Sequence, residues 1–226
     1  MDIIKFNNKE IKVEPRDSID ISVMREIFKL REYRAAEEAI REASDPIIDV
    51  GAHAGFFVLY CRVLNQRAQI FAIEPEPSNL TILEQHLKLN KIKKTTVVAG
   101  AIAGNSDDRY LTLSANNHNH KLSSTEAIGD VKVYAWSLRD FCREHKIEFI
   151  SLLKLDVEGT EFEIFDNLTD ADFGLFKNVI LEYHNSSYNN HKDIEGKLRS
   201  HGFGVQIFPS KFDKNMGFIF ASNKRI

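Results

Sequence analysis

Cysteine is scarce: Cys61 and Cys142 are the only two in 226 residues, far apart and each embedded in an apolar helical pattern. Both read as buried thiols, and a disulfide framework or zinc site would need more partners. A reducing, cytoplasmic setting is the default expectation. Long hydrophobic runs are also missing. No stretch approaches the roughly 20 residues of a membrane span, and the opening Met1-Asp2-Ile3-Ile4-Lys5 mixes charge with apolar side chains, unlike a secretory leader. Neither sign of charge dominates, with 30 Lys and Arg against 33 Asp and Glu and a net charge of −3. Nucleic acid is therefore not the expected partner, and neither is a membrane. Repeats and low-complexity segments are absent, and no feature marks an oligomeric state.

What is present is a 43% apolar chain, enough for one sizeable core. Residues 19–43 read as helix, with Val23, Ile27 and Leu30 at helical spacing and Ala35, Ala39 and Ile40 following less regularly. Pro46 stops it. The expected organisation is an N-terminal helical cap over residues 1–45 and a main domain over 46–226. In that domain strands at 47–50, 68–74 and 95–102 alternate with helices at 55–64 and 78–90. A polar insertion at 104–134 interrupts the rhythm, which resumes with strands at 149–157 and 178–183 and helices at 137–145, 161–168 and 193–200. The last strands, 204–208 and 217–221, are joined by a link so short that only an antiparallel hairpin fits. The expected fold is thus an α/β three-layer sandwich around a mostly parallel seven-stranded sheet with an antiparallel last strand.

Chemistry concentrates at three places. The first is Asp49-Val50-Gly51-Ala52-His53-Ala54-Gly55, which leaves a strand and enters a helix whose start offers backbone N–H groups and a positive dipole end. Gly51 and Gly55 allow a tight turn and close approach to a ligand. A dinucleotide fingerprint would need further glycines where His53 and Phe56 stand, so bulk occupies the place of a pyrophosphate. A phosphate-free nucleoside suits the turn better, and S-adenosyl-L-methionine fits, its carboxylate on the N–H groups. His53 contributes its backbone. The second place is Glu74-Pro75, at the end of the next strand, where an acid can accept hydrogen bonds from both ribose hydroxyls; the plainer alternative is a charge at the start of the helix that follows.

The third place is Lys154-Leu155-Asp156-Val157-Glu158-Gly159. Alternation along a strand turns Lys154, Asp156 and Glu158 to one side, and charges do not belong in a buried strand unless paired or functional. Lys154 is expected to pair with Glu182 or Asp49 as structural support. Asp156 and Glu158 are candidates to orient or deprotonate an acceptor hydroxyl, and His184 is a second candidate base, or else an ordinary strand-end histidine. Asp156 and Glu158 suit a divalent metal as well, but no third ligand can be placed from sequence, so no metal is assigned.

These segments together resemble the FkbM-type methyltransferase family. Arg31-Glu32-Tyr33 resembles its helical lead-in, Ile48 to Gly55 its cofactor motif, and Phe71-Ala72-Ile73-Glu74-Pro75 its ribose-binding strand end. Leu89-Asn90, Leu122-Ser123-Ser124 and Ser137-Leu138-Arg139-Asp140 follow in family order, and Leu153 to Glu161 is close to its most distinctive signature. The departures are His53 where Asn is frequent and Arg139 where Asp is frequent, the latter expected on an exposed helix start. The resemblance implies a class I, Rossmann-like methyltransferase fold and transfer from S-adenosyl-L-methionine, often to hydroxyl oxygens of sugars or natural products. Cofactor contacts are then expected from Asp49, Gly51, Ala52, His53, Gly55, Phe56, Glu74, Pro75 and Ala101, and acceptor contacts from Ser123 and Ser124.

The insertion, with Asn116-Asn117-His118-Asn119-His120, reads as a lid rich in hydrogen-bonding groups for a polar small-molecule or glycan acceptor, or as a loop of no consequence. His118 and His120 alone are too few to bind metal. Tyr183 to Tyr188 is a candidate for the opposite wall. Two alternatives stay open: an RNA or protein methyltransferase, although an Asn-Pro-Pro-Tyr type segment is absent, and a cofactor-binding domain without turnover.

Overall fold

The structure is a computed structural model describing residues 1–112 and 121–223. It opens with an antiparallel hairpin, β1 (Asp2–Phe6) and β2 (Lys9–Val13), ahead of the helical part of the expected cap. Asn7 and Asn8 form its two-residue loop at φ 48° and 60°, the left-handed geometry that such loops need and asparagine tolerates. That Asn-Asn pair between alternating apolar residues was the available signal. Ile11 and Val13 are buried, and Phe6 stacks on Tyr60 at 4.9 Å.

The continuous helix expected over 19–43 is broken. Asp17 caps α1 (Ser18–Met24) by accepting from the N–H groups of Ile19 and Asp20. A π-helical turn (Arg25–Leu30) follows and ends at Arg31, whose φ is 58°; a 3-10 turn (Glu32–Ala36) then leads into α2 (Glu37–Glu42). The irregular spacing of Ile27, Phe28, Tyr33, Ala36 and Ile40 explains the break. All five are buried, and one straight helix presents no single stripe containing them. The kink turns Tyr33 onto Phe57, with ring centroids 4.7 Å apart.

The expected alternation then begins: β3 (Ile47–Val50), α3 (Phe56–Leu64), β4 (Ile70–Glu74), α4 (Pro77–Leu89) and β5 (Thr95–Ala99). Next come β6 (Ala101–Ile102), β7 (Asp107–Thr112), β8 (Lys121–Ser123), β9 (Val131–Trp136), α5 (Leu138–Glu144), β10 (Ile150–Leu155) and α6 (Thr160–Asn167). The chain finishes with β11 (Phe176–His184), α7 (His191–Ser200), β12 (Phe203–Pro209) and β13 (Met216–Asn223).

Seven strands form one sheet in the order β5-β4-β3-β10-β11-β13-β12, every neighbour parallel except β13, which runs antiparallel to both β11 and β12. This is the class I methyltransferase arrangement. Strand order reverses between β3 and β10, so a crevice opens there beyond the strands' carboxyl ends. Alternating side chains feed a core on each face: Ile47 and Leu152 on one side, Ile48, Val50, Leu153 and Leu155 on the other. Residues from β1 to α2 share the first core with α3. The buried faces of α3 reflect this double packing, since Phe56 to Arg62 are all buried.

The expected third strand, 95–102, is cut at Gly100. A Cβ there would lie 2.5 Å from Trp136 Cζ3 and 2.7 Å from the Tyr134 carbonyl oxygen. Beyond it β6 leaves the main sheet and joins a second one, ordered β6-β9-β7-β8, which is what the polar insertion forms among its described residues. Among the described residues no helix is long and apolar enough to cross a membrane.

Candidate active site

A cavity of about 500 Å3 lies over the switch point, within the usual range for small-molecule sites. Gly51, Ala52, His53, Phe56, Glu74, Pro75 and Ala101 line it, as do Asp156 and Glu158. Asp49, Gly55, His184, Ser123 and Ser124 stand outside its lining. Two walls went unread in the sequence: Val23, Glu26 and Tyr33 from the broken N-terminal helix, and Phe212 and Met216 from the link between β12 and β13.

Gly51 adopts φ 73°, and a Cβ on it would sit 2.0 Å from the Asp156 carbonyl oxygen. The close approach that demands glycine is therefore to the neighbouring loop, not to a ligand. His53 sits at φ 49°, a region where Asn and His are both enriched, which accounts for histidine standing where the family often has asparagine. Most turn N–H groups are spent internally: Gly51 and Ala52 donate to the Ile73 carbonyl, Gly55 to that of Ala52, and His53 to Glu74 Oε2 at 2.8 Å. Helical bonding to a preceding carbonyl begins with Leu59, which donates to Gly55, so the first-turn donors Phe56 to Val58 are those a ligand can use. His86, not foreseen, holds this turn from behind. It is fully buried; Nδ1 meets the Ala54 carbonyl at 2.8 Å and Nε2 accepts from the Glu14 N–H at 2.9 Å. Burial lowers its pKa and keeps it neutral.

Glu74 is 4% exposed and accepts from the N–H of His53, the N–H of Glu76 at 3.0 Å and the Asn79 amide at 3.1 Å. A carboxylate offers about four lone-pair sites, so Glu74 has room for one further donor rather than two. Capping of α4 falls to Glu76, which accepts from the N–H groups of Ser78 and Asn79, with Pro77 at the first helical position.

Lys154 pairs with Asp49, its neighbour in the β3–β10 register, at 3.0 Å, and also donates to the Gly51 carbonyl at 2.7 Å and that of Val50 at 3.2 Å. Burial opposes its charge, but Asp49 and Asp156 outweigh it and hold the ammonium protonated. Asp49 is fully buried beneath the turn, so it braces the crevice floor and touches nothing inside it.

At the other end the strand stops at Leu155, earlier than expected, and a turn with φ 51° at Glu158 and 100° at Gly159 brings Glu158 to the cavity. Alternation alone does not reach that residue. Glu26, Glu32, Asp156, Glu158 and Glu182 all line this end. Burial, with Glu26 and Asp156 nearby, raises Glu32 to about 7; burial and the charge of Asp156 hold the Glu182 carboxyl well above the usual range. The Tyr33 hydroxyl donates to Asp156 Oδ2 at 3.3 Å. His184 lies behind Glu158, with Nε2 at 3.6 Å from Glu158 Oε2. Burial lowers its pKa, but the hydrogen bond to Glu161 and the charges around it prevail and raise it to about 9. At neutral pH His184 is an imidazolium and no base.

Ser123 bonds Thr125 at 3.0 Å and Ser124 is exposed, so the residue of that segment facing the cavity is Leu122. Tyr183 is buried against His191, and Tyr188 is exposed, so neither supplies the expected wall. Arg139 does start a helix at the surface, paired with Asp172 at 2.8 Å. The segment from Asn116 to His120 lies outside the described residues.

A family model described as the methyltransferase FkbM domain matches residues 49–205. The chain belongs to the FkbM methyltransferase family. It is, with that family, an S-adenosylmethionine-dependent methyltransferase. Its relatives include the 31-O-demethyl-FK506 methyltransferase FkbM of Streptomyces tacrolimicus, 26% identical over 80% of each chain. Another is the hexuronic acid methyltransferase AglP of Haloferax volcanii, 25% identical over 73% of this chain and 69% of that one. Among solved structures, a precorrin-6y C5,15-methyltransferase from Geobacter metallireducens superposes with a TM-score of 0.53 over 97% of this chain and 96% of its own, at 15% identity; that likeness concerns the fold.

Proposed function

We propose that this FkbM-family chain transfers the methyl group of S-adenosylmethionine to a hydroxyl oxygen of a sugar or other small polar acceptor. One observation carries the reading: a single cavity has a glycine turn, a helix start and a near-saturated carboxylate at one end, and a carboxylate cluster at the other. In this reading the first-turn N–H groups of α3 would hold the amino-acid carboxylate of the cofactor, the remaining capacity of Glu74 would hold a ribose hydroxyl, and Pro75 and Ala101 would hold the adenine. Asp156 and Glu158 would then hold the acceptor beside the transferable methyl group. Methyl transfer from a sulfonium is a displacement, in which alignment of the reacting atoms contributes up to about 7–11 kcal/mol. Asp156 or Glu158 accepts the hydroxyl proton, because His184 already carries one.

The acidic end supports a hydroxylated small molecule over RNA, since the carboxylates of Glu26, Asp156 and Glu158 repel phosphate. Two relatives point the same way by their names, one acting on a hexuronic acid and one on a 31-O position. Ser123 and Ser124 remain acceptor contacts only if β8 shifts toward the cavity on binding. Calorimetric titration with S-adenosylmethionine and its demethylated product tests the cofactor part; absence of heat would end it. A radiolabelled-methyl screen across glycans, small hydroxylated molecules and RNA tests the acceptor, with label in the first two expected. Label confined to RNA or protein would overturn it.

A further inference from the structure

We propose that Asp156, Glu158 and His184 form a binding site for one divalent transition-metal cation of the Mn2+ type at the acceptor end of the cavity. The inference deepens the acceptor reading above and rests on it for the metal's task, while ion binding itself is tested apart from it. Sequence offered two carboxylates on one loop and no third ligand. The fold supplies the third from β11, two strands away from β3 and next to β10. One ligand atom from each of the three residues lies within 4.8 Å of the others. A cation at roughly 2.1–2.2 Å from each would hold such atoms about 3–4.4 Å apart, so a contraction of a few tenths of an ångström closes the site.

Geometry behind the histidine is the independent reason. A metal-bound imidazole is usually oriented by a carboxylate on its other nitrogen. Glu161 does this: it is fully buried, its Oε1 sits 3.1 Å from His184 Nδ1, and the same atom accepts the His184 backbone N–H at 2.8 Å. Its Oε2 takes the Gly159 N–H at 2.7 Å, which ties the loop carrying Glu158 to the same anchor. His184 Nε2 is thereby turned toward Glu158, buried and without a hydrogen-bond partner. A ring fixed from one side with its other nitrogen facing two carboxylates is a prepared ligand set, which a cation takes up by displacing the proton from Nε2. Carboxylates suit Mn2+ and an imidazole suits the transition metals that follow it, so the mixed set favours a first-row transition-metal ion over Ca2+ or Mg2+, with Mn2+ as its spectroscopic probe. Bound there, the cation would hold the acceptor oxygen and lower its pKa.

The test titrates Mn2+ into the full chain without S-adenosylmethionine and follows loss of the free-ion paramagnetic resonance signal. One saturable ion per chain is expected, with affinity lowered at least tenfold by Glu158→Gln and by His184→Gln, each variant checked by its melting curve. Electron spin echo modulation on the wild-type chain should show a coordinated imidazole nitrogen, a readout that needs no variant to fold. Absence of saturable binding, absence of nitrogen modulation, or unchanged affinity in both folded variants would overturn the site. Loss of methyl transfer with intact Mn2+ binding would instead count against the acceptor reading.

Discussion

Glu74 ends β4 and Glu182 lies two residues before the end of β11 in the same sheet, and both face the same cavity, yet their surroundings differ. Burial raises the Glu74 carboxyl too, but two backbone N–H groups and an amide oppose that rise, and the nearby charge of Asp49 is answered by Lys154 within the floor. Around Glu182 stand Asp156, Glu158 and Glu32, and burial among them pushes its carboxyl up. The first end is complete before any ligand arrives. The second accumulates negative charge that a cation or a proton must relieve. Preorganised polarity costs little to maintain once its partners are in place, whereas clustered acids are stable only with something to answer them. On the proposed function, the first end holds the one invariant guest and the second carries the chemistry.

Breaking the answered charge of the first end should have the largest effect. Lys154→Met strands Asp49 in the core and should cost about 3–5 kcal/mol of stability in denaturant unfolding; adding Asp49→Leu should restore much of it, and failure of that rescue would contradict the pairing. Next comes Glu74→Ala, expected to weaken binding of the demethylated cofactor by about 10–100-fold in calorimetry, equivalent to roughly 1.5–3 kcal/mol. His86→Asn should cost about 1–2 kcal/mol and change the pH dependence of melting. Above pH of about 6.5 the imidazole is neutral folded or unfolded. Below it the unfolded chain takes up a proton that the folded chain resists, so stability falls as pH drops, and the variant should flatten that slope. The smallest effect sharpens the acceptor end: Tyr33→Phe removes one long hydrogen bond to Asp156, so kcat/KM should fall about two- to fivefold, roughly 0.5–1 kcal/mol, with folding unchanged.

Legibility in the sequence divides along the same line. Strands β3, β4, β10 and β11 were readable because apolar runs with fixed alternation leave few alternatives, and the short link to β13 dictated its direction. The turn from Gly51 to Gly55 and the placement of Glu74 followed from local chain chemistry. Missed were the hairpin from Asp2 to Val13, whose signal was the Asn7-Asn8 pair, the break at Arg31, whose signal was the irregular spacing from Ile27 to Ile40, and the wall from Phe212 to Met216, which is set by what it packs against. His86 gave no signal either, since a histidine on a helix face looks the same whether it meets solvent or the Ala54 carbonyl.

By itself the sequence determined the layered α/β architecture, the family and the half of the cavity made by consecutive residues, because period and turn chemistry are properties of neighbours along the chain. Tertiary structure alone decided that Lys154 answers Asp49 and not Glu182, that Gly51 is required by the Asp156 carbonyl, and that His184 stands charged beside Glu158 and Glu161. Those outcomes depend on distances between strands far apart in the chain, and on burial, which sets how strongly each charge is felt.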